Sequence, residues 1–101
     1  MKDKVLSLLG LCMKAGKAVS GEFMTESAVK EGKAFLVIVA TDASDNTKKD
    51  IKNMCAFYKT ACYEYSTKEQ LGNAIGKELR SSVTICDEGF SNALKLKLDN
   101  M

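Results

Sequence analysis

The chain is 101 residues long, the size of one compact folding unit. It is 46% hydrophobic and 28% charged, the composition of a globular domain rather than a disordered tail. Fifteen Lys and Arg against thirteen Asp and Glu leave +2, and histidine is absent, which excludes His-based acid–base catalysis, Ser–His triads and His-ligated metals together.

The apolar residues at Val5, Leu8, Leu9 and Cys12 follow the spacing of one helical face, so Asp3 to Ala15 is expected to be a helix stopped by Gly16. Lys17 to Gly21 reads as a short extended link. Glu22 to Glu31 is expected to form a second helix with Phe23, Ala28 and Met24 turned inward and Gly32 at its end. Phe35-Leu36-Val37-Ile38-Val39-Ala40 is a continuous apolar run rich in β-branched residues, as in a strand covered on both faces. Asp42 or Ser44 then caps a third helix whose apolar face is Ile51, Met54, Cys55 and Tyr58.

Ala61 to Tyr65 reads as a second strand, of central type. Ser66-Thr67-Lys68-Glu69 has the pattern of a capping box and opens a fourth helix through Leu71, Ala74 and Ile75, closed by Gly76. Ser82 to Cys86 is a third strand, and a last helix runs from Gly89 with Phe90, Ala93, Leu94 and Leu98 inward. This alternation of helices and strands with short links implies an α/β fold, a three-layer α/β/α sandwich, in one domain spanning residues 1–101.

Little in the sequence suggests catalysis. Phe35 to Ala40, the longest apolar run, is too short to cross a bilayer, so no membrane partner is expected. The start, Met1-Lys2-Asp3-Lys4-Val5, lacks the apolar centre and cleavage site of a signal peptide and reads as a mature cytoplasmic start. Cys12, Cys55, Cys62 and Cys86 have no C-x-x-C spacing and are read as reduced core residues, with no metal or cofactor expected. Asp87-Glu88-Gly89 lies after a strand, but the carboxylates fit the first turn of the last helix, where they favour its dipole. Gly72-Asn73-Ala74-Ile75-Gly76 lacks the spacing of a nucleotide-binding loop.

The basic residues are unevenly spread. Residues 1–20 hold Lys2, Lys4, Lys14 and Lys17 against Asp3 alone. Lys17 precedes the start of the second helix, where free N–H groups and the dipole favour a phosphate. Gly76-Lys77-Glu78-Leu79-Arg80-Ser81-Ser82 brings the single arginine of the chain, whose fork matches phosphate or guanine edges. Ordinary solvated loops are the plain alternative for both segments.

Gly16-Lys17-Ala18-Val19-Ser20-Gly21, Gly32-Lys33-Ala34 with the strand after it, and Leu71-Gly72-Asn73-Ala74-Ile75-Gly76-Lys77 together resemble one family. It is the ribosomal-protein superfamily of kink-turn RNA binders that contains L-seven-Ae and L-thirty-e. Asp42-Ala43-Ser44-Asp45-Asn46-Thr47 and Asp87-Glu88-Gly89-Phe90 are similar to its small bacterial YlxQ-type branch. The resemblance extends from about Val5 to Leu94. It implies a mixed four-stranded sheet between helices, and binding of structured RNA, such as a kink-turn in ribosomal RNA, without catalysis.

In the family the second helix's N-terminus and the loop before the last strand grip the RNA, typically through Gly-x-Asn-Glu-x-x-Lys. The matching stretch here is Gly21-Glu22-Phe23-Met24-Thr25-Glu26-Ser27, so Phe23, Met24 and Ser27 replace the usual Asn, Glu and Lys. Lys17, Gly21 and Lys33 match positions common in the family, and Leu79-Arg80-Ser81-Ser82 corresponds to its second RNA-contacting loop. Phe23 either stacks on a splayed-out base or packs under the first helix. The resemblance therefore implies a monomeric RNA binder, free of cofactors, with a ribosome or protein partner. The alternative is a protein-interaction module on the same fold that has lost RNA recognition.

Overall fold

The computed structural model describes residues 3–100, so the reading of the chain start at Met1 and Lys2 lies outside the described residues. Five helices and four strands alternate: α1 (Lys4–Lys14), β1 (Ala18–Ser20), α2 (Glu22–Lys30), β2 (Leu36–Val39), α3 (Asp45–Phe57), β3 (Ala61–Glu64), α4 (Lys68–Ala74), β4 (Ser82–Ile85) and α5 (Glu88–Asp99). The sheet is mixed, in the order β1-β4-β2-β3. β4 runs antiparallel to both β1 and β2, and β3 runs parallel to β2. α2 and α3 pack together on one face of this sheet, and α1, α4 and α5 cover the other. The expected three-layer α/β/α sandwich is thus the architecture observed.

β2 is central because nothing in it needs water: Leu36, Val37, Ile38 and Val39 are all buried. Phe35, read as part of the same run, precedes the strand and is 41% exposed. β4 alternates, with Val83 and Ile85 buried among apolar core residues and the hydroxyls of Ser82 and Thr84 buried as well. Those hydroxyls face α2. Thr84 Oγ1 donates to Thr25 Oγ1 at 2.8 Å, and Thr25 Oγ1 lies 2.9 Å from Ser82 Oγ. Fully buried, the three groups satisfy one another and pin the start of α2 onto β4.

Three sequence expectations need correction. The link at Lys17–Gly21 contains a strand, because Ala18, Val19 and Ser20 pair with Ile85, Thr84 and Val83; three residues are too few for a pattern of alternation to show. β3 is an edge strand, not a central one. Its free edge carries Glu64, paired with Lys52 and lying 3.7 Å from Lys48 Nζ, a charged arrangement that discourages further strand pairing. Finally, Phe23 and Met24 are not inward: α2 buries Thr25, Ala28 and Val29, while Phe23 is 79% exposed. The exposed rings of Phe57 and Tyr58 likewise end α3 outside the core.

Each end signal in the sequence resolves to one residue. Ser44 caps α3 through its hydroxyl, which accepts from Thr47 N, and Asp42 accepts instead from Lys68 N at 2.8 Å. Thr67 caps α4 by accepting from Gln70 N, and Asp87 caps α5, which starts at Glu88, by accepting from Phe90 N at 2.8 Å. Asp3 caps α1 and also accepts from the Tyr65 hydroxyl; burial and this bond push the tyrosine up to about 12.

Candidate nucleic-acid interface

Because β1, β2 and β3 run in one direction, α2, α3 and α4 all begin at the same end of the sheet, and β4 begins there too. That end joins the two segments singled out by the sequence. Gly21 N donates to Ser82 O at 3.0 Å, and Arg80 Nε donates to Ser20 Oγ at 3.1 Å. Arg80 Nη1 also donates to Leu79 O at 2.7 Å, and Arg80 N donates to Lys68 O at 3.1 Å. Ser81 O accepts from Ala40 N at 2.8 Å, anchoring the loop to the end of β2. With two donors engaged, three of the five guanidinium N–H groups have no partner among the described residues.

α2 differs from the other four helices at its start. Gly21 stands at its N-cap with φ of 90°, a left-handed conformation that suits glycine, and offers no side chain to cap it. The N–H groups of the first turn are therefore left for an outside acceptor, with the positive end of the helix dipole behind them. Glu22 does not fill this role, since its carboxylate turns sideways to accept from Thr47 Oγ1 at 2.6 Å. Beside these donors stands Phe23, a flat aromatic face in solvent, with Met24 44% exposed next to it. Ser27 lies one turn on and donates to Glu31 Oε2 at 2.8 Å, away from the helix start.

The structure does not bring Lys17 and Lys33 to this place. Lys17 N donates to Cys12 O and Lys17 O accepts from Cys86 N, at the opposite end of β1. Four residues of extended chain, about 13 Å, separate it from Gly21. Lys33 follows the far end of α2, its ammonium 3.1 Å from Glu31. The corner expected from Lys17 and the helix start does not form, because β1 intervenes. Ser82 is wholly buried and contributes through its backbone and the hydroxyl cluster.

Sequence reasoning missed Gly72. A Cβ there would stand 1.3 Å from Glu78 O, and Gly72 O accepts from Lys77 N at 2.8 Å. The loop carrying Arg80 is thus seated directly on the backbone of α4. The signal was present as a glycine inside a helical pattern, where it costs stability unless something packs against it.

The thiols fit packing roles. Burial pushes the Cys12 thiol up to about 11, and a hydrogen bond between the free thiols of Cys55 and Cys62 raises the first and lowers the second. Among the described residues no group of His, Cys, Asp and Glu is arranged to hold a metal ion, and no helix is long and apolar enough to cross a membrane.

The α/β/α sandwich with its mixed four-stranded sheet is that of a class of ribosomal-protein-like domains. The profile of the Ribosomal protein L7Ae/L30e/S12e/Gadd45 family matches residues 3–95, and the chain belongs to that family. It is 38% identical over 94 residues to the RNA-binding protein YlxQ of Enterococcus faecium, covering 93% of this chain and 90% of that one. To the RNA-binding protein YlxQ of Bacillus subtilis it is 40% identical over 92 residues, covering 91% and 92%. The fold matches the solved structure of a protein of unknown function from Bacillus halodurans with a TM-score of 0.94 at 37% identity, covering 97% and 99%.

Proposed function

We propose that this protein binds structured RNA without catalysis, through the start of α2 and the loop from Leu79 to Ser82. The observation that carries the reading is the junction itself. The uncapped N–H groups after Gly21 and the unpartnered donors of Arg80 are held side by side by the Gly21–Ser82 and Arg80–Ser20 hydrogen bonds. Phosphate oxygens are the natural acceptors for both, and exposed Phe23 offers a stacking surface for an unpaired base. The names of the YlxQ relatives support RNA as the partner, and family membership points to a ribosomal RNA in the cytoplasm.

Specific reading of a kink-turn is weaker here than in relatives with the usual Asn, Glu and Lys. Phe23 can stack but has no groups for guanine edges, and Ser27 is turned toward Glu31. The test is a titration against a kink-turn RNA, a plain duplex and a ribosomal RNA fragment at two salt concentrations. Salt-dependent binding of bent or looped RNA over duplex is expected. The triple substitution Phe23→Asn, Met24→Glu and Ser27→Lys should strengthen kink-turn binding selectively, since each good base contact contributes about 1–3 kcal/mol of discrimination. Equal affinity for all three RNAs before and after the substitution would refute the assignment.

A further inference from the structure

We propose that the groove between α2 and α3 docks a basic amphipathic helix from a protein partner. The groove has a volume of about 630 Å³ and runs along the seam of the two helices, from the beginning of α2 down to the end of α3. Of the eight large apolar side chains exposed among the described residues, three line it: Phe23, Phe57 and Tyr58. Phe57 is 77% exposed and meets Tyr58 edge-on, with ring centroids 4.9 Å apart. Ile51 and Met54 continue the apolar lining between the ends. Aromatic rings gathered along one seam, away from the core, mark a surface suited to a partner.

Charge selects the partner. The groove wall carries three carboxylates, Glu22, Glu26 and Asp50, and one ammonium, Lys30, in a chain whose net charge is +2. Lys30 is already 3.2 Å from Glu26. Among the described residues no cation pairs with Glu22 or Asp50, which leaves the groove locally acidic. Farther along the groove, at Glu26 and Asp50, such a wall repels nucleic-acid phosphates, and a second copy docked symmetrically would set the same carboxylates against themselves. Lysine or arginine is attracted, and arginine also stacks on phenylalanine and tyrosine faces.

The walls select the occupant's conformation. Both are helices, whose backbone groups are paired internally, so the groove offers no strand edge. An extended peptide would lay its own N–H and C=O groups on an apolar floor without partners, whereas a helix arrives with them satisfied. From Thr47 to Phe57 the seam is about 15 Å long at 1.5 Å per residue, room for some three turns. Phe23, at the near end of this groove, is shared with the proposed RNA contacts, whereas Phe57 and Tyr58 lie at the opposite end of α3, so the two readings separate at that far end.

The test is a nuclear magnetic resonance titration of the full chain with two synthetic helical peptides. One is a twelve-residue design, about three turns, with lysine and arginine on one face and leucine on the other; the second replaces every cation by glutamate. The basic peptide should move amide signals of residues 22–30 and 47–58 with a Kd near 100 μM, weakening with salt, to the order expected of a small surface site. The acidic peptide should leave these signals in place. The double variant Asp50→Lys, Phe57→Ser should weaken basic-peptide binding about tenfold or more, the scale of losing a central anchor and its charge partner. Both side chains are exposed, so an unchanged melting curve is expected alongside. Indifference to the basic peptide, equal response to the acidic one, or an unaltered affinity in the double variant overturns the proposal. So does movement of the 47–58 signals by an oligouridine, which would give the groove to RNA, or by raising the protein concentration alone, which would give it to a second copy.

Discussion

The two ends of the sheet hold their cations differently. At the end where α2, α3 and α4 begin, Arg80 is fixed by bonds from its own guanidinium to Ser20 and Leu79 and still has donors to offer. At the other end Lys17 is tied only through its backbone, and Lys33 spends its ammonium on Glu31 with its side chain 70% exposed. The first end couples fixed donors to a helix dipole and an aromatic face. The second has charge without placement. A binding corner needs donors aimed at one point, and closeness in sequence does not supply that when a strand lies between.

The comparison breaks most severely if the loop bearing Arg80 loses its seat. Gly72→Ala places a Cβ 1.3 Å from Glu78 O, a clash with backbone that only movement of the loop can relieve. Overpacking of this kind should cost about 3 kcal/mol of stability, read by urea denaturation, and RNA affinity should fall even where the protein remains folded. A variant of native stability and affinity would show that the loop is not held by α4.

Next in size is the buried hydroxyl cluster beneath the start of α2. Thr25→Val keeps the shape but leaves Thr84 and Ser82 without their shared partner, at a cost of about 2 kcal/mol. The loss should appear in thermal or urea melts, and protection of the α2 amides from hydrogen exchange should fall with it.

These two residues also mark where sequence reading stops. α1, α3, α4 and α5 were legible because apolar spacing and capping residues announce them, and β2 because its run is uniformly apolar. β1 was not, since a three-residue strand shows no period and is defined by its partner β4. The same holds for β3, whose composition suits a central strand while its place at the edge follows from chain topology. In the candidate site, the segments around Gly21 and Arg80 were legible from glycine, helix start and arginine. Their junction was not, because Thr25, Ser82 and Thr84 meet only across more than fifty residues of chain. Phe23 was misplaced for a related reason: an aromatic residue in a helix reads as core until the burial of Thr25, Ala28 and Val29 fixes which face is inside.

That exposure makes Phe23 a probe of the proposed RNA-binding end. Phe23→Ala should leave stability within about 0.5 kcal/mol, as for an exposed side chain. Binding to RNA with unpaired bases should weaken by about 1–3 kcal/mol, the range for one lost stacking contact, while duplex binding changes little. A fall in melting temperature without a change in affinity would return Phe23 to a structural role.

The smallest effects sharpen the comparison most, because they set one cation against another. Arg80→Ala should weaken RNA binding and lower the slope of log K against log salt by about one phosphate contact. Lys17→Ala and Lys33→Ala remove equal formal charge from the other end. They lie beyond the roughly 8 Å over which exposed charges interact at physiological salt, since β1 and its flanks span about 13 Å on the Lys17 side and the nine residues of α2 about 13 Å on the Lys33 side. Each should change affinity less than about twofold at that salt and leave the slope unaltered, with a modest uniform loss emerging only at low ionic strength. If either lysine variant matched Arg80→Ala in affinity and slope, RNA would have to reach both ends of the sheet, and the contrast between them would fail.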